Sequence, residues 1–171
     1  MIISSPSARA FVRVLNTGIL CNMTQRHWVQ NDRISLVTTI TKQRAPIFQD
    51  DAYACTAVES LYIIQERQPF YLHAFVVMPD HCHVLLTVPE YSTLSSIMYA
   101  YKRDVSFRIN RGPLWQKRFD CRLMRKIPQA IHYIHHNPIV AGLCAEPEDY
   151  RWSSACGKWD VTAIDAMGMF A

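Results

Sequence analysis

The chain has no apolar run near the roughly 20 residues needed to span a bilayer, so a membrane-spanning protein is not expected. It has no C-x-x-C pair. Its six cysteines, Cys21, Cys55, Cys82, Cys121, Cys144 and Cys156, lie far apart, which excludes the dense disulfide framework of small secreted domains and points to reduced thiols in a cytoplasm. Neither a repeat nor a low-complexity block argues for a second domain. The first residues mix Ser, Ala and short apolar stretches broken by Arg9 and Arg13, so no cleavable signal emerges and residues 1–30 read as a variable extension. What remains is a chain of 171 residues, half of them apolar, long enough for one domain with its own core.

The net charge of +4 is modest but unevenly placed. Between Lys102 and Lys126 stand nine basic residues against Asp104 and Asp120, a net of +7 that leaves the rest of the chain at −3. Tyr101, Phe107, Trp115 and Phe119 are interleaved with them. Clustered cations attract phosphates and flat rings stack on unpaired bases, so the segment suits nucleic acid, although an ordinary solvated basic face has the same composition. Trp115 reads more readily as a core residue than as a stacking platform.

The pattern of elements is regular. A β-branched run over 33–41 predicts a first strand, and Asp50 or Asp51 can cap a helix that ends near Arg67-Gln68-Pro69. Tyr71 to Met78 predicts a second strand, Pro79-Asp80 a bend, and His81 to Val88 a third, antiparallel and central. After Ser92-Thr93, the positions Leu94, Ile97, Met98, Tyr101, Val105 and Ile109 have helical spacing. Asn110-Arg111-Gly112-Pro113 reads as a turn, Trp115 to Arg125 as the ground for a fourth strand, and Pro128 as the first turn of a third helix that Pro138 ends. The expectation is an α+β fold: a ferredoxin-like β-α-β-β-α-β antiparallel sheet with helices on one face, then a further helix.

Two constellations carry chemistry. His81 and His83 flank Cys82 in a strand, so both imidazoles lie on one face about 7 Å apart at Cα and can converge on one ion, while Cys82 points away. Structural histidines are the competing reading. Some fifty residues later Tyr133 and Asn137 stand one helical turn apart on a common face, which suggests a tyrosine nucleophile beside a metal; a core aromatic and a helix C-cap are the plainer alternative.

The blocks Met78-Pro79-Asp80-His81-Cys82-His83-Val84-Leu85-Leu86, Trp115-Gln116-Lys117-Arg118-Phe119, Tyr133-Ile134-His135-His136-Asn137-Pro138-Ile139-Val140-Ala141-Gly142-Leu143 and Trp152-Ser153-Ser154 together resemble, in order, those of the HUH single-tyrosine transposases, especially the REP-associated tyrosine transposases. The resemblance spans about Arg33 to Ala155, which sets a nuclease domain at 31–155 and a tail at 156–171. It implies that His81 and His83 bind a divalent ion, Mg²⁺ or Mn²⁺, that Tyr133 is the nucleophile, and that Asn137 stands where relatives place a third, polar ligand. It also implies a 5′-phosphotyrosine intermediate, single-stranded or hairpin DNA as substrate, DNA transposition as the outcome, and a cytoplasmic, nucleoid-associated protein. Dimeric relatives complete a site with a partner's helix, so a homodimer is among the implied states. Lys102, Arg103, Arg108, Arg118 and Arg122 are the candidate phosphate contacts, while His132, His135 and His136 have no counterpart role. The other readings are a catalytically inactive hairpin DNA- or RNA-binding regulator, and a metal phosphodiesterase that uses activated water.

Overall fold

A computed structural model describes residues 33–164; the expected extension over residues 1–30, Cys21 and the end of the tail lie outside that range. The elements run β1 (Ile34–Ile40), α1 (Asp51–Arg67), β2 (Tyr71–Met78), β3 (His81–Thr87), α2 (Leu94–Ile109), β4 (Asp120–Leu123) and α3 (Ile127–Val140). The strands form one antiparallel sheet in the order β2-β3-β1-β4, so β3 is central and hydrogen-bonded on both sides. This is the expected β-α-β-β-α-β arrangement followed by a helix.

Local chemistry sets the helix ends. The Asp50 carboxylate accepts from the backbone N–H groups of Ala52 at 2.9 Å and Tyr53 at 3.4 Å, and the Thr93 hydroxyl accepts from Ser96 N–H at 3.2 Å. Asn110 closes α2 in the left-handed conformation, at φ 51°. The fourth strand is shorter than the sequence suggests. Trp115 joins the sheet only through an isolated bridge to Thr41, and regular pairing begins at Asp120.

Strand alternation divides the sheet into two cores. Val37, Phe75, Val77, Cys82, Val84 and Leu86 pack under α1 and α2, with Val58, Leu61, Ile97, Tyr101 and Val105. Ile34, Leu36, Ala74, Val76 and Leu85 face the other way and are covered by Ile127, Ala130 and Ile134 of α3. The helix expected to carry the tyrosine therefore closes the face opposite to α1 and α2.

The end of α3 corrects the sequence reading. Pro138 does not stop the helix; it lies inside it, buried, and the helix continues to Val140. A mid-helix proline forfeits one backbone hydrogen bond, and here burial against the sheet face offsets that loss. The actual stop is a Schellman motif in which Leu143 N–H donates to Pro138 O and Gly142 N–H to Ile139 O, both at 2.9 Å, with Gly142 at φ 68°. Asn137 is accordingly an interior helical residue, neither terminal nor a C-cap.

Trp152-Ser153-Ser154 has a structural task. Val77 N–H donates to Trp152 O at 2.9 Å, Ser153 bridges Val76, and Phe75 N–H donates to Ser154 Oγ at 3.0 Å. The segment thus satisfies the outer edge of β2, which would otherwise present unpaired backbone groups. Ser154 Oγ also meets His135 Nε2 at 2.9 Å, tying α3 to the same edge.

Burial lowers the pKa of His73, against an opposing contribution from the Thr162 carbonyl. Burial also lowers that of His135, with the neighbouring His136 adding to the effect. The unfolded chain therefore takes up protons near pH 6.5 that the folded chain binds only at lower pH, and stability must fall as pH drops through that window. The urea midpoint in EDTA is expected to decrease between pH 7.5 and 5.5. That range lies above the titration of Asp80, whose carboxyl is held below its ordinary value by His81 and Arg44 against the opposing effect of burial, and of Glu59, which Arg108 lowers. A midpoint that holds or rises over this interval would contradict the assignment.

Candidate active site

His81 and His83 lie on the sheet face beneath α3, their rings 4.8 Å apart between centroids and nearly perpendicular, while Cys82 points into the opposite core and meets Tyr101 Oη at 3.6 Å. Each imidazole is held by its Nδ1. The Asp80 carboxylate takes His81 Nδ1 at 2.5 Å, and its other oxygen accepts from Arg44 at 2.9 Å. Thr38 lies directly across the ladder from His83, and its Oγ1 is 2.8 Å from His83 Nδ1. The Asp80 carboxylate accepts from His81 Nδ1–H, which sets that tautomer, and the Thr38 hydroxyl orients His83 with its Nε2 toward Tyr133, an arrangement in which outer partners aim histidines that could hold a metal.

His83 is 5% exposed, and burial pushes its pKa down to about 4, with His81 and Arg122 adding to the shift and Asp80 opposing it. The shift favours the neutral imidazole, the form able to ligate a metal. Tyr133 projects from α3 over this pair. Its hydroxyl is 3.4 Å from His83 Nε2, the long end of hydrogen bonding, and the residue is 50% exposed. A core aromatic would be enclosed; Tyr133 is instead half exposed, with its hydroxyl beside His83.

Asn137 is less well placed. Its Nδ2 donates back to the Tyr133 carbonyl at 2.7 Å, and among the described residues it shares no hydrogen bond with either histidine. The described residues hold no cluster of three His, Cys, Asp or Glu side chains suited to a metal ion. Among the described residues, the nitrogen donors brought together here are those of His81 and His83, which could hold a divalent ion with positions open for substrate oxygens.

The five candidate phosphate contacts separate. Arg122 on β4, in register with Leu36 of β1, faces the α3 side and lies close enough to depress the His83 pKa; it also pairs with Asp120 at 3.0 Å. Arg118 is exposed in the loop before β4, and Arg103 is exposed on α2. Lys102 is engaged elsewhere, its Nζ donating to the Gln116 and Lys117 carbonyls at 2.5 and 3.3 Å. Arg108 reaches Glu59 at 2.5 Å and Ser60 at 3.4 Å, which fastens α2 to α1 on the far side of the sheet. Trp115 packs on Phe48 and Tyr101. His132 and His136 stack on each other at 3.7 Å along the outside of α3.

Thr38, Asp80 and Arg44 are the site residues that sequence reasoning missed. Asp80 was legible only as a turn former, and Thr38 acquires a meaning once the β1 to β3 register is known. Thr38→Val keeps the side-chain shape and removes the hydroxyl that holds His83. The Mn²⁺ affinity measured by titration calorimetry is expected to fall about 10- to 100-fold. Unchanged affinity would show that the Thr38 hydroxyl does not prepare His83 for a metal ion.

An antiparallel α+β sheet whose central strand carries a His-x-His pair beneath a tyrosine-bearing helix has the arrangement of a single-tyrosine transposase. Residues 31–137 match the family model described as "Transposase IS200 like", and the chain belongs to that family. It is 28% identical over 95 residues to the REP-associated tyrosine transposase of Escherichia coli K12, covering 53% of this chain and 58% of that one. It is 30% identical over 107 residues to a Haemophilus influenzae protein provisionally given the same name, covering 52% and 61%. The alignments thus span about three fifths of each relative's length. The solved structure of a REP-associated tyrosine transposase bound to a REP hairpin superposes with a TM-score of 0.69 at 21% identity, over 86% of this chain and 94% of that one, which establishes the shared fold. Among the described residues no helix is long and apolar enough to cross a membrane.

Proposed function

We propose that the protein is a metal-dependent endonuclease and strand transferase acting on single-stranded, hairpin-forming DNA, as in DNA transposition, with Tyr133 as its nucleophile. The observation that carries this is the meeting of Tyr133 Oη with the inward edge of a buried, neutral histidine whose other nitrogen is held by Thr38. The family and the hairpin complex of the superposed relative support the choice of substrate.

Tyrosine is a weak nucleophile at its ordinary pKa near 10, so its oxygen must be aligned on phosphorus and the charge on the phosphate neutralised. Tyr133, set on a rigid helix with its hydroxyl beside His83, provides the alignment. His81 and His83 would hold Mg²⁺ or Mn²⁺, which supplies Lewis-acid stabilisation of the scissile phosphate and the leaving oxygen. Arg122, whose charge acts on His83, is suited to a neighbouring phosphate. Attack by Tyr133 Oη on phosphorus forms a 5′-phosphotyrosine bond and releases a 3′-hydroxyl; the phenolic proton passes to solvent or to the departing oxygen. The same hydroxyl can attack the phosphotyrosine, so joining is the reverse of cleavage and needs no external energy source.

The test is a denaturing gel of 3′-end-labelled hairpin DNA with a single-stranded flank, incubated with the protein and Mn²⁺; the label then stays with the fragment that carries the 5′-phosphotyrosine bond. A labelled band that migrates with the protein and disappears on protease treatment is the expected result. Cleaved DNA without that band would replace the tyrosine mechanism with hydrolysis by activated water, and bound but intact DNA would indicate a regulator.

A further inference from the structure

The three histidines of α3 divide in the structure. His135 is committed to the fold, its Nε2 lying 2.9 Å from Ser154 Oγ at the edge of β2. His132 and His136 stand one helical turn apart on the outer surface, the spacing at which two side chains of a helix can reach a common ligand. Their rings already lie together, 3.7 Å between centroids and 14° from parallel. Two imidazole nitrogens on one tetrahedral ion, each about 2.0–2.1 Å from it, are themselves about 3.3 Å apart, so the rings need not travel to share one. A turn of the exposed His132 ring is enough to aim both lone pairs at the same point.

One hydrogen bond selects the tautomer that ligation needs. His136 Nδ1 is 3.0 Å from the His132 carbonyl oxygen, which can only accept, so Nδ1 carries the proton and Nε2 the lone pair. A backbone carbonyl behind one ring nitrogen is a usual outer partner of a metal-binding histidine. Among the described residues the His132 ring has no hydrogen-bond partner, so its lone pair is not committed elsewhere. From Ile127 to Val140 the helix carries no Asp, Glu, Lys or Arg, hence no carboxylate to favour a hard ion and no ammonium to repel a borderline one. We propose that His132 and His136 form a second metal site, separate from the His81 and His83 pair, which takes a borderline transition ion such as Zn²⁺. Water fills its other positions, because the described chain brings no third His, Cys, Asp or Glu to the pair. Two protein donors make an exchangeable site and not a structural one. An ion there clamps the helical turn that contains Tyr133 and sets positive charge on a helix that has none of its own. Neither the site nor its test depends on the function proposed above.

The experiment titrates Zn²⁺ calorimetrically at pH 7.5 into the full chain, free of any purification tag. Wild type is compared with His81→Gln/His83→Gln, and with that variant carrying His132→Ala or His136→Ala in addition. His81→Gln/His83→Gln is expected to retain one zinc ion per chain, and either alanine to weaken it at least tenfold, because a single imidazole cannot chelate. Mn²⁺ is expected to bind His81→Gln/His83→Gln at least tenfold more weakly than Zn²⁺. In wild type, His132→Ala/His136→Ala is expected to reduce bound zinc from two ions to one and to leave the metal-free melting curve unchanged, which keeps the test independent of any damage done at His81 and His83. Histidine side-chain ¹⁵N spectra of His81→Gln/His83→Gln should show zinc moving His136 Nε2 and one nitrogen of His132, with His135 still. No zinc on His81→Gln/His83→Gln, zinc that survives either alanine, or a shift at His135 in place of the pair would overturn the second site. If His81→Gln/His83→Gln loses all zinc, the second site alone fails; if it binds as many ions as wild type, the second site stands and the metal role of His81 and His83 fails.

Discussion

Tyr133→Phe is expected to reduce covalent adduct formation by roughly 10⁴-fold or more while leaving the hairpin dissociation constant within about twofold. The asymmetry follows from where the hydroxyl is. Tyr133 is half exposed and its hydroxyl meets His83 Nε2 at the long end of hydrogen bonding. Removing it exposes no core and unpairs no buried backbone group, so the melting temperature should shift little. The ring's packing against His83, 5.3 Å between centroids, persists in phenylalanine. Only the atom that would form the bond to phosphorus is gone. Fragments produced at an undiminished rate by the variant would show that the oxygen attacking phosphorus comes from elsewhere.

His81→Gln/His83→Gln is expected to produce the second large effect: a loss of cleavage of about 1,000-fold or more, with hairpin binding reduced no more than about threefold. Both imidazoles are held from behind, by Asp80 and by Thr38, in the manner of residues whose remaining nitrogen is meant for a ligand. The cations available to DNA phosphates, among them Arg103, Lys117, Arg118 and Arg122, belong to other elements and remain in place. Metal-free protein should accordingly bind hairpin and not cut it. Chelation of wild type is expected to give the same split, reversed by adding Mn²⁺. An equal loss of binding and cleavage would make the pair structural. Glutamine is chosen because it refills part of the space of His83, which is nearly enclosed, and the variant's melting curve reports whether the fold survives.

The sheet, its order of elements and the shared face of His81 and His83 were readable in the sequence because each rested on a period or a strong local signal. Two-residue alternation put His81 and His83 on one face and Cys82 on the other, and Asp50, Thr93 and Asn110 occupy helix ends that capping chemistry favours. What could not be read depended on contacts distant in sequence. A proline rule placed the end of α3 at Pro138, yet tertiary packing carries the helix through it and Gly142 supplies the stop. The Asn137 side chain, expected at a free helix end, is turned onto its own helix. Composition marked the basic segment, but it could not show that Lys102 is bound to carbonyls 14 and 15 residues further on, or that Arg108 faces α1. Thr38 carried no local signal because its partner is 45 residues away across a strand pair.

The most direct test of the account is to digest the adduct formed with hairpin DNA and Mn²⁺, and to locate the nucleotide-bearing residue by mass spectrometry. The prediction is a single peptide from α3 carrying a 5′-phosphodiester on Tyr133. Attachment to any other residue, or complete cleavage with no modified peptide, would contradict the central claim.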